Sequence, residues 1–598
     1  MKRNASRNPT RKSLFVFFAI LTIPHFTLFP QERERIDYAR LSGLTGIRGG
    51  NLTVAVAADP ANFNRMLTSG VSNAAIADRL SGDLVHINRV SLQLEPALAA
   101  GWDSDKSGGV YTLHLRHGVR FSNNTPFTAD DVVFTFQVLT DPRIQCTMAG
   151  QIEIDGAFPS VSRIDDYTVR LTFQRPVGMG LRMLDSIPVL SRKSLYKAYQ
   201  ELKLAEAWGP TVNPEDVVGL GPFRLKEYQR GIRIVLERNP YYWKKDHAGQ
   251  TLPYLDTITF LIIPDLNSQA LRFGQGELDL VNSLNPESYA ALRRSAGKII
   301  LRDLGPGLAM DFLWFNLNRS AAGKQKSQLD PEKLAIFEKA EFRRAISYAL
   351  NRKGMAASIF LSLGVPQFGP VSSGNKNWHY SGISRTDFNP AHARELLANA
   401  GLKDSNGDGV LEYGLKRLPF TLALFTARGN NAREKMAQVI QDNLSKIGIR
   451  VGIQHLLPNE LASRFLNSFD YEAMLFGFSP TDIVPDLQAD LWQSSGKLHF
   501  WCPNQADPER PWESTMDSLI LNLVRTTDPA ARKAGFEKVQ ELWAREMPAI
   551  PTVAPNILVG WNKRLKNVKP SILTPQVLWN AEELYKQDPT SKGARQME

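Results

Sequence analysis

Residues 219–221, Gly-Leu-Gly, open like a phosphate-binding loop, which would imply nucleotide chemistry. Such a loop needs a glycine-rich turn that leads directly into a helix whose N–H groups face the phosphate. Here Pro222 follows at once, Arg224 stands where the third glycine belongs, and residues 223–237 alternate with a period near two. The pattern therefore predicts a β-hairpin that turns near Gly231, and no phosphate site.

Three other motifs could carry catalysis or bind a metal. Ser194-Leu-Tyr-Lys197 matches the Ser-x-x-Lys of penicillin-recognising enzymes, but the Lys-[Ser/Thr]-Gly that should follow it is absent. His114 and His117 are too few ligands for zinc. Residues 404–409 resemble the start of a calcium loop, whose twelfth position requires Glu, and that position is Leu415. We find no convincing catalytic centre, so the sequence predicts no enzyme, no metal and no cofactor.

Composition points to a large soluble protein. The chain has 598 residues and is therefore too long to fold around one core. Its hydrophobic content of 43% and charged content of 22% are ordinary for a soluble globular protein. Five of the 11 net positive charges fall within residues 1–12. The remaining basic residues are scattered and do not interleave with aromatic ones, so nucleic acid is not an expected partner.

The basic start precedes a short apolar run, residues 14–23, which is typical of an export signal. About ten apolar residues are too few to span a membrane comfortably. Neither a clean Ala-x-Ala site nor a lipid-accepting cysteine follows. We therefore expect a periplasmic or otherwise extracytoplasmic protein, and the sequence leaves open whether the segment is cleaved or tethers the chain to the membrane.

Periodicity in the later part of the chain alternates strands with helices. Residues 419–426 and 449–453 have the pattern of strands, and residues 431–447 place apolar side chains on one helical face. Earlier, Thr128 is placed to cap a helix that has acidic residues in its first turn. This order predicts an α/β protein with more than one lobe.

Several motifs together resemble a known family. Residues 95–102, 111–121 and 125–134 resemble the signature of family 5 extracellular solute-binding proteins, the peptide-type binding components of ABC importers. Residues 238–243, which end the predicted hairpin, and residues 342–352 fit the same family. The resemblance covers about residues 50–560 and implies a two-lobed α/β periplasmic-binding-protein fold of type II. This is the large peptide-binding class, with an appended subdomain and a hinge between the lobes.

The resemblance also implies domain boundaries. We expect a signal or anchor segment with linker at 1–49; lobe I at 50–88, 190–313 and 558–598; an appended subdomain at 89–189; and lobe II at 314–557. These boundaries place Cys146 and Cys502, the two cysteines of the chain, on opposite sides of the hinge. A disulfide between them would hinder opening, so we predict two free thiols.

Seven residues fall where the family contacts its ligand. The expected ligand-binding residues are Ser69, Gly70, Val71, Phe478, Ser479, Thr481 and Asp482. The first three correspond to backbone that faces the ligand, and Phe478 stands where relatives have Trp. The register leaves Thr481 or Asp482 at the position of a carboxylate that holds the ligand's ammonium group. We expect Asp482 to be that anchor and Asp486 to matter much less.

The implied function is capture of a peptide-like solute between the lobes and its delivery to the permease subunits of an ABC importer, by a monomer. An oligosaccharide, an opine-like compound or a nickel complex is the alternative ligand. An exported acyl-serine hydrolase built on Ser194 and Lys197 is a remote alternative from another class.

Overall fold

The computed structural model describes residues 36–43, 45–154, 156–294, 297–319 and 329–587. The predicted export segment lies outside these residues. Within the described ranges, every helix is too short or too polar to cross a membrane.

The described residues form fifteen α-helices. They are α1 Val71–Leu80, α2 Ala129–Thr140, α3 Arg192–Gln200, α4 Leu204–Ala207, α5 Leu266–Gln275, α6 Pro286–Arg293, α7 Pro331–Phe337, α8 Ala340–Ala349, α9 Arg352–Phe360, α10 Pro390–Asn399, α11 Asn431–Ser445, α12 Pro458–Ser463, α13 Ala489–Trp492, α14 Pro511–Arg525 and α15 Pro529–Glu546.

The strands form several small sheets. They are β1 Ala39–Arg40, β2 Asn51–Val56, β3 Val85–Ile87, β4 Leu94–Pro96, β5 Ala99–Ser104, β6 Val110–Leu115, β7 Ser160–Asp165, β8 Thr168–Thr172, β9 Phe223–Gln229, β10 Arg233–Arg238, β11 Lys244–Lys245, β12 Thr257–Ile262, β13 Leu280–Val281, β14 Ile299–Pro306, β15 Met310–Phe315, β16 Gly364–Pro366, β17 Glu412–Tyr413, β18 Leu418–Pro419, β19 Thr421–Ala427, β20 Arg450–Leu456, β21 Ala473–Phe478, β22 Ala549–Pro551, β23 Val553–Asn562, β24 Leu565–Lys566 and β25 Tyr585–Lys586.

The predicted hairpin is present. β9 and β10 pair antiparallel at the edge of a sheet with order β2-β12-β10-β9. The Gly-Leu-Gly turn before it packs against the carboxyl end of α1. A Cβ on Gly219 would lie 1.9 Å from the Leu80 carbonyl oxygen, and one on Gly221 would lie 2.4 Å from that of Arg79. The glycines therefore allow two backbones to approach closely, and the phosphate-loop interpretation stays rejected.

The predicted cap of α2 is also present. Thr128 and Asp131 form a capping box, in which the Asp131 carboxylate accepts from the Thr128 N–H at 2.9 Å. Burial raises the pKa of Asp131 to about 6. α2 packs against β7 and β8 of a four-stranded antiparallel sheet with order β5-β6-β8-β7. This sheet lies within the predicted appended subdomain.

A second core surrounds a five-stranded sheet with order β20-β19-β21-β15-β22. β19 and β20 are parallel and joined by α11, whose side chains Met436, Ile440 and Leu444 are buried. This confirms the predicted βαβ unit. Its boundaries differ from those predicted by at most three residues, because the ends of elements carry a weaker pattern than their middles.

Two large hydrophobic clusters divide the molecule. The first gathers buried residues between 52 and 280 and again between 559 and 584; the second gathers residues between 310 and 554. β23 connects them, since Val553 packs in the second cluster and Val559 in the first. The predicted boundary at 313/314 falls inside β15, which pairs with β21 along its whole length. We propose that the chain crosses between lobes before β15 and within β23.

Both thiols are free, as predicted. Cys502 is buried in the second cluster, where its Sγ donates to Asn318 Oδ1 at 3.0 Å, and Cys146 packs beside the first cluster. Burial raises the pKa of both thiols. They are therefore poor nucleophiles in the folded state.

Candidate functional site

A cavity of about 250 Å³ lies between segments of the two clusters, and we call it the cleft. Its walls come from residues 65–78, 87–89, 148–151, 182–186 and 574–575 on the side of the first cluster, and from residues 479–487 on the other. Segments distant in sequence thus meet at the place where the family resemblance expects a ligand.

Five of the seven predicted residues line the cleft together: Gly70, Val71, Ser479, Thr481 and Asp482. The other two do not line it. Ser69 is exposed beside it, where its carbonyl accepts from Asn73 Nδ2 at 3.0 Å. Phe478 packs in the second cluster with its ring 4.3 Å from that of Phe500. It therefore packs against the core immediately before the loop 479–487.

The amino end of α1 forms one wall. Gly70 is its N-cap, with a φ of 102° that glycine adopts far more readily than other residues, and no side chain caps the helix there. Val71, Ala74 and Asp78 follow at helical spacing and line the cleft. The first N–H groups of a helix have no partner within it, so this wall offers backbone donors.

Arginine and aspartate side chains meet in pairs around the cleft. The pairs are Arg65–Asp78, Arg89–Asp185 and Arg182–Asp482. The lining therefore includes six charged side chains, and these three pairs balance in formal charge. Opposite charges at this spacing attract strongly where water is scarce.

Asp482 has a partner that the sequence did not suggest. Arg182, in the short helix Gly180–Leu184, donates from Nε to Asp482 Oδ2 at 2.5 Å and from Nη2 to Oδ1 at 2.7 Å. The Ile483 N–H donates to the same Oδ1 at 2.6 Å, and Asp482 is 4% exposed. The carboxylate expected to hold a ligand ammonium is thus already engaged by a guanidinium from the opposite wall.

Arg89 is a cleft residue that the sequence reasoning missed. Its Nη2 donates to Asp185 Oδ2 at 2.8 Å and to Ser186 Oγ at 3.1 Å, while Asp185 Oδ1 accepts from the Ile87 N–H at 2.7 Å. Burial opposes the charge of Asp185, but Arg89 beside it holds the pKa of that carboxyl below its usual value. The one available signal was a lone arginine after the mostly apolar run 84–87.

The motifs set aside in the sequence do not form sites. Lys197 is exposed on α3, where its nearest acidic partner is Glu201 at 4.0 Å, and Ser194 donates its N–H to Ser191 Oγ. His114 pairs with Asp103 at 2.8 Å on the surface. These contacts are those of ordinary surface residues.

Two acidic groupings could suggest a cation. The Asp404 carboxylate accepts from the N–H groups of Gly407 and Gly409, as in a self-closing turn. Among the described residues, Asp83, His86 and Asp185 are the one trio whose ligand atoms lie within 4.8 Å of one another. His86 Nδ1 lies 3.2 Å from Asp83 Oδ2 and 3.7 Å from Asp185 Oδ1, and Asp185 also pairs with Arg89.

Comparison with known proteins identifies the family. Residues 93–499 match the model of the bacterial extracellular solute-binding proteins, family 5 Middle. The chain belongs to this family. Its members are binding components of transporters, not enzymes, and work outside the cytoplasm.

Individual relatives extend the match over most of the chain. A probable ABC transporter-binding protein of Deinococcus radiodurans is 27% identical over 511 residues, covering 81% of this chain and 84% of the relative. The oligopeptide-binding protein AppA of Bacillus subtilis is 27% identical over 531 residues, covering 87% and 89%.

Solved structures confirm the two-lobed type II fold. AppA in complex with a nonapeptide aligns with a TM-score of 0.71 and 25% identity, covering 91% of this chain and 100% of that one. MelB of Agrobacterium fabrum C58 in complex with stachyose aligns with a TM-score of 0.73 and 23% identity, covering 92% and 86%. The second likeness concerns the fold alone.

Proposed function

We propose that this protein captures a short peptide-like solute in the cleft and delivers it unchanged to the permease subunits of an ABC importer. The relatives support this reading, since AppA is an oligopeptide-binding protein and its solved complex holds a nonapeptide. Curated dipeptide-binding and di/tripeptide-binding proteins of Pseudomonas aeruginosa are similar over 84–87% of this chain.

The cleft is the observation that carries the proposal. It is lined by parts of the two predicted segments, residues 70–71 and 479–482, and its volume is about 250 Å³. Small-molecule sites usually measure about 300–1,000 Å³. A cleft just below that range favours a ligand of few residues over a long peptide.

Within the cleft, the backbone near Gly70 and the loop bearing Ser479 and Thr481 contact the solute. Both hydroxyl residues are exposed at its rim. The two lobes close on the solute like a hinge, and a solute that binds the closed state better shifts the population toward it. The protein acts as a monomer and outside the cytoplasm.

Native mass spectrometry tests the ligand class. Protein purified without refolding is sprayed intact, and any co-purified ligand is released and fragmented. We expect short peptides, and small-angle scattering should show a smaller radius of gyration once they are added. A sugar, an opine-like compound or a nickel complex as the released ligand would contradict the peptide assignment.

A further inference from the structure

The carboxylates that line the cleft are already paired. Asp482 has two bonds from Arg182, Asp185 accepts from Arg89, and Asp78 lies 3.3 Å from Arg65 Nε. An ammonium group on a solute would have to compete with a guanidinium at each of these places. The acceptors of the cleft are therefore largely satisfied by the protein itself.

The hydrogen-bond donors of the cleft, in contrast, are only partly satisfied by the protein. Among the described cleft-lining side chains, the buried polar atoms with neither a hydrogen bond nor an ion-pair partner are Arg89 Nε and Arg89 Nη1. Both are guanidinium nitrogens. A buried donor without a partner is costly, and more so when it is charged. An acceptor from outside the chain would satisfy them.

Arg89 is held ready for such an acceptor. It is 8% exposed, and Asp185 and Ser186 fix its Nη2, while Asp185 is itself fixed by the Ile87 N–H. These bonds hold the guanidinium in one orientation. They occupy only some of its five N–H donors, so the others remain available to an acceptor. A carboxylate is the acceptor that matches a guanidinium best in charge and shape.

The amino end of α1 adds donors at another point of the same cleft. Gly70 and Val71 line it, and no side chain caps the helix. The positive end of a helix favours carbonyl oxygens and anions. The contribution of this helix end is secondary to that of Arg89. Its partial charge is positive, like the charge of Arg89, so both favour a negatively charged group.

We propose that the cleft recognises its solute by a carboxylate bound to Arg89, and that the solute needs no ammonium group at Asp482. This inference rests on the proposed peptide function and names the end of the peptide that is recognised. It differs from the sequence expectation, in which Asp482 holds the amino end.

A pool of tripeptides in three forms tests it. The pool omits Asp, Glu, Lys, Arg and His, so that its only charges are the terminal ones, and is made with free ends, with an acetylated amino end, or with an amidated carboxyl end. Binding to the full chain is measured by native mass spectrometry and by calorimetry on the best binders. We expect amidation to weaken binding at least about tenfold and acetylation to weaken it less than about threefold.

Variants connect the effect to Arg89. Arg89→Gln should remove the preference for acid over amide, and Arg89→Lys should keep part of it because the positive charge remains. Arg272→Gln, an exposed substitution on α5, is the matched control and should change nothing. The unliganded melting temperature of each variant shows whether it folds.

Each outcome decides one question. Equal binding of acid and amide by the unaltered protein, or a greater loss on acetylation than on amidation, would overturn the role of Arg89 while leaving peptide binding intact. If Arg89→Gln folds and still prefers the acid, another residue binds the carboxylate and the inference is wrong. If no form of the pool binds, the proposed peptide function fails and this inference fails with it.

Discussion

Asp482 and Asp486 lie in one loop and are equally buried, but their arginine partners come from different parts of the molecule. Asp482 is bound by Arg182 from the side of the first cluster, whereas Asp486 is bound at 2.6 Å by Arg532 of α15, which belongs to the second. Their exposed fractions are 4% and 5%. Burial alone therefore does not distinguish a residue of the cleft from a residue of the lobe.

The difference lies in what happens when the lobes separate. Both residues of the Asp486–Arg532 pair fall within the proposed lobe II, so we expect the pair to be kept in both states. The Asp482–Arg182 pair spans the cleft, so we expect it to break on opening, when water can reach both groups. We expect the first pair to govern the free energy of unfolding and the second to govern closure and ligand affinity.

The largest expected effect comes from breaking the pair inside the lobe. Arg532→Met leaves the Asp486 carboxylate buried without its cation, which typically costs about 3–5 kcal/mol. We expect urea denaturation at pH 7 to show a loss of that size in the free energy of unfolding. Asp486→Asn combined with Arg532→Met should recover part of it, because no charge is then left unpaired.

The pH dependence of this variant has a definite sign. Burial raises the pKa of Asp486, and removing Arg532 removes an influence that lowers it. A carboxyl whose folded pKa exceeds its unfolded pKa binds its proton more tightly in the folded state, so the folded state gains as the pH falls. The deficit of Arg532→Met should therefore be largest at pH 7 and shrink toward pH 4. A deficit that does not vary with pH would show that lost packing, and not the buried charge, causes it.

A second group in the same lobe should also act on stability alone. His499 is completely buried, and burial lowers its pKa to about 3. Its unfolded pKa is about 6.5, so the unfolded chain takes up the proton first and stability falls as the pH drops below that value. At about 1.36 kcal/mol per pH unit, the loss between pH 6.5 and pH 5 is about 2 kcal/mol.

His499→Leu isolates this contribution. The unaltered protein should lose about 2 kcal/mol more stability than the variant between pH 7 and pH 5, as measured by urea denaturation at each pH. Ligand affinity should change equally in both proteins, since His499 does not line the cleft. Parallel stability curves would mean that the imidazole takes up its proton over the same pH range in the folded and unfolded states, which would contradict the lowered pKa.

Local sequence could predict the elements but only part of the cleft. The capping box at Thr128, the hairpin at Gly231 and the unit joined by α11 depend on residues close in sequence, and all three are present. The periodicity of each segment is set by neighbours along the chain, so it survives in any context that buries the apolar face.

Long-range partners could not be predicted in the same way. Arg182 and Asp482 are 300 positions apart, and no local pattern identifies one as the partner of the other. Phe478 was expected to contact the ligand, but its ring packs against those of Phe500 and Trp314 in the second cluster. The resemblance pointed to a loop that lines the cleft, and only the fold decides which of its side chains face that cavity.

The pair that spans the cleft gives the smallest effect and the sharpest test. Asp482→Asn and Arg182→Gln should each leave the free energy of unfolding within about 1 kcal/mol of the unaltered protein, because the remaining charge can reach water when the lobes open. Each should weaken peptide binding about tenfold, since a smaller closed fraction lowers the apparent affinity in proportion. Calorimetry on the best tripeptide, free and acetylated, measures both losses.

The two explanations of Asp482 then separate. If the pair acts as a lock between lobes, both variants weaken the free and the acetylated peptide alike, and the double variant loses little more than either single one because the two residues act together. If Asp482 instead holds the ligand's ammonium group, Asp482→Asn weakens the free peptide far more than the acetylated one. Arg182→Gln would in that case tighten binding of the free peptide, because it releases the carboxylate from its competitor. If Arg182→Gln binds the free peptide more tightly than the unaltered protein does, Asp482 binds the ligand's ammonium group. The proposal that the pair stabilises the closed state would then be wrong.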